Sequence, residues 1–197
     1  MTDDAMPWAL AVVQVPARPS RHRVAVWREL RRAGAVPVSQ GTWALPATEA
    51  FREAVDRAAE LAAAGEGRVL VYDVEPRDTA ARAFLVDAFT EARVDEWREF
   101  LADCGKFEDE IAKEIGKEKF TFAELEEEEQ SLDRLRRWFR DLKRRDVLAL
   151  PEAQTAAERL RVCSETLDDY AERVYAAMRG DTVDGPAPGT PPEGGPA

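Results

Sequence analysis

Six arginines, Arg18, Arg21, Arg23, Arg28, Arg31 and Arg32, fall between residues 18 and 32. A planar guanidinium donates a fork of hydrogen bonds that matches phosphate oxygens, and each such contact neutralises one backbone charge of a nucleic acid. At helical spacing Arg21, Arg28 and Arg32 lie within about 40° of one another, which makes one stripe. Arg18, Arg21, Arg23, Arg28 and Arg32 are therefore the candidate DNA-binding residues. The competing reading is a solvated face that pairs with carboxylates elsewhere in the chain. His22, between Arg21 and Arg23, either joins the phosphate contacts or has no role.

A second group is acidic. Glu124 and Glu126 to Glu129, with Asp103, Glu110 and Glu114, have the ligand types of a carboxylate metal site. Di-iron bundles, however, repeat Glu-x-x-His, and the one histidine, His22, is far from this region, so neither metal nor cofactor is expected. The glutamate run reads more simply as a first helical turn favoured by the macrodipole. Asp103, Cys104 and Glu110 form the candidate ligand or redox group. A carboxylate buried there needs a partner such as Arg134 or Arg137. Cys104 follows Asp103 at an expected helix end, where a thiolate is disfavoured, and Cys163 reads as a small core residue.

The chain has 197 residues and a net charge of −11, yet residues 1–40 carry +3 and the remainder −14. A positive surface, if there is one, belongs to the N-terminal segment. Two cysteines and one histidine exclude a disulfide scaffold, most zinc sites and His-dependent catalysis. With no nucleophile–base pair and no phosphate-cradling glycine loop, no catalytic residue and no enzyme activity are expected. The first seven residues lack a basic stretch and no run reaches the roughly 18 apolar residues of a membrane span, so a cytoplasmic protein without a membrane partner is expected.

Residues 8–15 form an apolar, β-branched run that predicts a buried strand. Ser20 is the expected cap of a helix to about Ala33, with Val24, Trp27 and Leu30 toward the sheet and Gly34 as the stop. Residues 35–39 and 42–45 predict a hairpin across Gln40-Gly41, Thr48 caps a second helix to about Ala64, and 68–74 is a fourth strand. The order strand, helix, strand, strand, helix, strand predicts a ferredoxin-like βαββαβ domain in residues 1–77, within an α+β chain.

Residues 78–180 predict an α-helical domain. Asp78 opens a helix to Gly105, a shorter piece ends at Gly116, and the capping box Thr121-Phe122-Ala123-Glu124 opens the next. Pro151 starts the last helix, whose Leu160, Cys163, Leu167, Tyr170, Val174 and Met178 alternate by three and four. Residues 181–197, rich in Pro and Gly, predict a disordered tail.

The blocks Val13-Gln14-Val15-Pro16, Arg18 to Leu30 and Gly41-Thr42-Trp43-Ala44-Leu45-Pro46 resemble the N-terminal region of ChrB, the chromate-resistance regulator family. Asp103 to Phe107, Lys119 to Leu125 and Arg144 to Val147 resemble the same family, so the likeness covers roughly residues 8–178. The first part is also similar to the ferredoxin-like domain of phenylacetate-pathway repressors and of CRISPR spacer-acquisition nucleases. The nucleases place a metal-binding Asp at the end of their first strand, where this chain has Gln14, a poor Mg²⁺ ligand. The ChrB resemblance implies a transcriptional regulator that contacts an operator upstream of a chromate-efflux gene. Chromate-sensing members continue into a second domain, and with a Pro/Gly tail in that place this chain is not expected to sense chromate selectively by itself. The expectation is a cytoplasmic DNA-binding regulator acting as a homodimer on an operator. The alternatives are a protein-interaction module docking through its helices, or a ligand-binding protein or enzyme with an acidic helical pocket.

Overall fold

The first apolar run forms strand β1 (Trp8–Gln14) in the computed structural model, which describes residues 6–180. It is followed by α1 (Ser20–Ala33), β2 (Val36–Ser39), β3 (Thr42–Pro46), α2 (Glu49–Ala63) and β4 (Arg68–Val74). The sheet order is β2-β3-β1-β4 with every neighbour antiparallel. That is the strand order of the expected ferredoxin-like pattern. Central β1 puts Ala11 opposite Trp43 of β3 and Val71 of β4. Small residues Ala9 and Ala11 leave room beneath α2, whose Phe51, Val55, Ala58 and Ala62 are buried in the same core.

Helix α1 is rotated relative to expectation. Its buried residues are Val26 and Leu30, whereas Val24 and Trp27 are 39% and 47% exposed. Four apolar residues spread over about 160° of the helix, and only packing against α2 selects which pair faces inward. Ser20 is not the cap either: Pro19 holds the cap position, with no side-chain hydrogen bond. Gly34 ends the helix at φ 91°, as a left-handed C-cap requires.

Three long helices follow: α3 (Thr79–Gly116), α4 (Phe122–Arg145) and α5 (Pro151–Arg179), packed pairwise as a bundle. Asp78 caps α3 by accepting from the Ala81 amide, and Thr121 caps α4 by accepting from that of Glu124. The break expected at Gly105 is absent, and α3 is one helix of 38 residues. Gly105 costs about 1 kcal/mol of helix propensity. The seam Trp97, Phe100, Cys104, Phe107, Ile111 passes straight through it and buries far more. On α5 the expected seam holds from Cys163 to Val174, but Met178 is 51% exposed, past the end of the core. The expected tail, 181–197, lies outside the described residues.

The two cores meet on α3. Its Leu85 and Phe89 belong to the core of the sheet, with Phe89 edge-on to Trp8 and Phe51, while Trp97 onward belongs to the bundle. Between them sits Arg93, 3% exposed. Its guanidinium lies over the Phe89 ring, donates to the Gly34 carbonyl at 2.8 Å and pairs with Glu96 at 3.0 Å. Arg145, the last residue of α4, completes the joint by donating to the Arg32 carbonyl at 2.6 Å and pairing with Glu96 at 3.4 Å. Two carbonyls at the α1 C-terminus, orphaned by helix geometry, are thus satisfied by arginines of α3 and α4. Burial pulls the Arg93 pKa down to about 10, opposed by Glu96, so it stays charged at neutral pH.

Replacing Arg93 by Met removes that charge from a buried pair and leaves the Gly34 carbonyl without its donor. A loss of about 3 kcal/mol is expected in urea unfolding. A Cβ at Gly34 would sit 2.3 Å from Arg93 Nη1, at a φ that side chains avoid, so Gly34→Ala should destabilise as well. Unfolding midpoints for both variants within error of the wild type would contradict the joint.

Candidate functional site

Val26 and Leu30 lie roughly 140° and 180° round α1 from Arg21, so the arginine stripe points away from the core. Arg21, Arg28 and Arg32 are all exposed on it. Arg28 makes no ion pair among the described residues; Arg21 donates only to His22 Nε2, at 3.2 Å, and Arg32 has a loose pair with Glu29 at 3.7 Å. Glu29 instead serves Arg57 of α2 at 2.8 Å, which ties the two helices together beneath the stripe. Arg31 flanks the face and stacks on exposed Trp27, 5.3 Å from the ring centroid. Arg18 is exposed in the loop before α1. Arg23 is exposed too, but about 160° round the helix from Arg21, so the structure does not bring it onto the stripe.

His22 has a structural neighbour. A Cβ at Gly65, in the turn between α2 and β4, would lie 2.5 Å from His22 Cβ, so the turn packs directly on the histidine and needs glycine there. Gln14 accepts from Arg68 Nε at 2.7 Å across the β1–β4 pair. Beyond the end of the stripe, Arg32, Arg57, Arg144 and Arg145 line a groove of about 650 Å³ with Glu53 and Asp141. The basic surface therefore continues from α1 to the end of α4, a neighbour 113 residues away that helical spacing could not reveal.

Asp103 and Glu110 do come together, on a cleft of about 550 Å³ between α3 and the start of α4. Neither pairs with Arg134 or Arg137. Asp103 meets Lys106 at 2.6 Å and Glu110 meets Lys113 at 2.6 Å, each three residues on, and both carboxylates stay partly exposed. Cys104 turns about 100° away from Asp103 into the bundle, where the Cys163 thiol approaches the Cys104 carbonyl at 3.8 Å and Glu108 Oε1 at 3.5 Å. It does not share a site with the two carboxylates. Hydrogen bonding to Cys104, burial and the Glu108 charge hold the Cys163 thiol well above the ordinary range.

The buried carboxylates on the cleft are two that the sequence placed in the acidic group without marking them as buried. Glu114, 2% exposed, pairs with Lys119 at 3.0 Å and Lys117 at 3.5 Å, and the Lys119 bond chiefly holds its carboxyl below the usual range. Glu128, 6% exposed, makes no hydrogen bond or ion pair among the described residues. Both occupy seam positions: Glu114 follows Ile111 by three, and Glu128 falls between Leu125 and Leu132. That spacing was the signal. Burial first, then the neighbouring Glu110, Glu127, Glu114 and Glu124, push the Glu128 carboxyl up. No cluster of His, Cys, Asp or Glu able to hold a metal occurs among the described residues.

A carboxyl whose pKa is raised in the folded state favours folding while protonated, and that advantage fades as pH rises from the ordinary value of 4.5 through the folded one. Glu128→Gln should therefore unfold like the wild type near pH 4 and become the more stable of the two by pH 8. A melting-temperature gap that closes as pH rises would contradict the burial of this charge.

No curated protein and no solved structure matches the chain. No helix among the described residues is long and apolar enough to cross a membrane. The model of the family "Protein ChrB, N-terminal" matches residues 23–181, from the second turn of α1 to just past the end of α5. That span takes in Arg28 and Arg32 of the stripe, the Arg93 and Arg145 joint and the whole α3–α4 cleft. With most of its length matched, the chain belongs to the ChrB family of chromate-resistance regulatory proteins, in their N-terminal region.

Proposed function

We propose that this ChrB-family chain regulates transcription by binding DNA through the outer face of α1, and that it acts by binding rather than by catalysis. One observation carries the reading. In a protein of net charge −11, Arg21, Arg28 and Arg32 share one exposed face, and none of the three has a close carboxylate partner among the described residues. An arginine face with no phosphate to meet would gain by pairing with the abundant carboxylates, as Arg57 does with Glu29. Arg31 and Trp27 beside the stripe add a cation and an apolar surface for sugar or base contact. The continuation toward Arg144 lengthens the track along which a duplex backbone would run.

The acidic remainder of the surface supports this orientation, because it repels phosphate and restricts docking to one side. Operators are commonly read by two-fold symmetric proteins, so a homodimer presenting two α1 faces is the assembly proposed. The free, buried thiols Cys104 and Cys163 suit a reducing compartment such as the cytoplasm.

Fluorescence anisotropy with the duplex upstream of the protein's own gene, titrated over salt, tests the reading. Arg21→Ala, Arg28→Ala and Arg32→Ala should each weaken binding and lower the salt slope by about one ion per lost contact. A triple variant that binds with wild-type affinity and slope would remove α1 as the DNA surface.

A further inference from the structure

Glu128 is the one carboxylate on the α3–α4 cleft that is both buried and unpartnered among the described residues. Glu114, as deeply buried, has two lysines; Asp103 and Glu110 have one each. A carboxylate this little exposed, with no donor from the protein, gains from one supplied by a ligand. This one opens onto a cleft large enough for a small molecule. Exposed Glu127, on the same wall, also makes no ion pair among the described residues, while Phe107 and Leu135 supply apolar surface between the charges.

From this arrangement we infer that the cleft binds an aliphatic diamine or polyamine. One primary ammonium donates to Glu128, a second reaches Glu127 at the rim, and the methylene chain lies over Phe107 and Leu135. The ammonium supplies what Glu128 lacks, a charged donor with several N–H groups: of the cations lining the cleft, Lys106, Lys113, Lys117 and Lys119 are engaged by Asp103, Glu110, Glu114 and Glu124, and Arg134 makes no ion pair with Glu128. A spherical metal ion fits less well, since no ligating cluster is present among the described residues. The inference is independent of α1 contacting DNA, because the cleft and the arginine face share no residue.

Isothermal titration of the full chain with spermidine at physiological ionic strength tests it, with tetramethylammonium, which has no N–H, as the comparison. Saturable spermidine binding is expected, with little response to tetramethylammonium. Glu128→Gln should weaken it by about tenfold or more, the scale of a lost charge-assisted hydrogen bond, while Glu126→Gln, on the same helix but off the cleft, should leave it unchanged. A second readout needs no variant: the Leu135 methyl resonances should shift on titration and those of Leu160, on α5, should not. Absence of saturable binding, equal binding by Glu128→Gln, an equal response to tetramethylammonium, or a Leu135 signal that stays put would each overturn the inference.

Discussion

Arg93 sits where the core beneath the sheet and the core of the helical bundle meet. A guanidinium taken out of water needs acceptors, and the two terminal nitrogens of Arg93 find theirs in different parts of the chain, the Gly34 carbonyl at the end of α1 and the Glu96 carboxylate one turn along α3, while its Nε has none. Glu96 in turn receives Arg145 from the end of α4, and Arg145 reaches back to the Arg32 carbonyl. Because each group is needed to satisfy the next, the end of α1, the middle of α3 and the end of α4 have one mutual arrangement. A purely apolar contact would tolerate sliding; a hydrogen-bonded one does not.

That constraint bears on the arginine face. The backbone carbonyl of Arg32 is held by Arg145 while the Arg32 side chain stays in solvent, so the stripe stands on a helix whose C-terminal end is clamped from below. Its inner side is fixed by Val26 and Leu30 and by the Glu29 to Arg57 pair. A charged surface on a rigid element needs little ordering when it meets a ligand, which is what affinity for a regular phosphate array requires. Arginines of α1 and the end of α4 share one groove with Glu53 and Asp141, while the separate α3–α4 cleft mixes carboxylates with Lys106, Lys113, Lys117, Lys119 and Arg134.

Much of this was legible in local pattern. The strand and helix order, the β4 boundaries, and the caps Asp78 and Thr121 follow from alternation, β-branched runs and cap chemistry, all encoded within a few residues. The phase of α1 was not, because Val24, Val26, Trp27 and Leu30 compete and a contact with α2 decides among them. Gly105 looked like a stop because glycine weakens a helix locally, whereas the seam on either side of it is a longer-range quantity. The buried polar residues were hidden by their type. Arg93 sits four residues from both Phe89 and Trp97, and Glu114 and Glu128 also continue apolar seams, so each occupied a core position while reading as surface. Arg93 at such a position makes a joint, Glu114 is held by two lysines, and Glu128 is the one proposed to meet a ligand.

The central claim, that the outer face of α1 meets DNA while the arginines beneath it hold the fold, is tested most directly by arginine side-chain NMR during titration with the upstream duplex. The Nε–Hε signals of Arg21, Arg28 and Arg32 should move with saturation, and those of Arg93 and Arg145, buried in the joint, should hold their positions. Stationary α1 signals with movement confined to Arg137 and Arg140 on α4, or no movement at all at saturating duplex, would contradict the account.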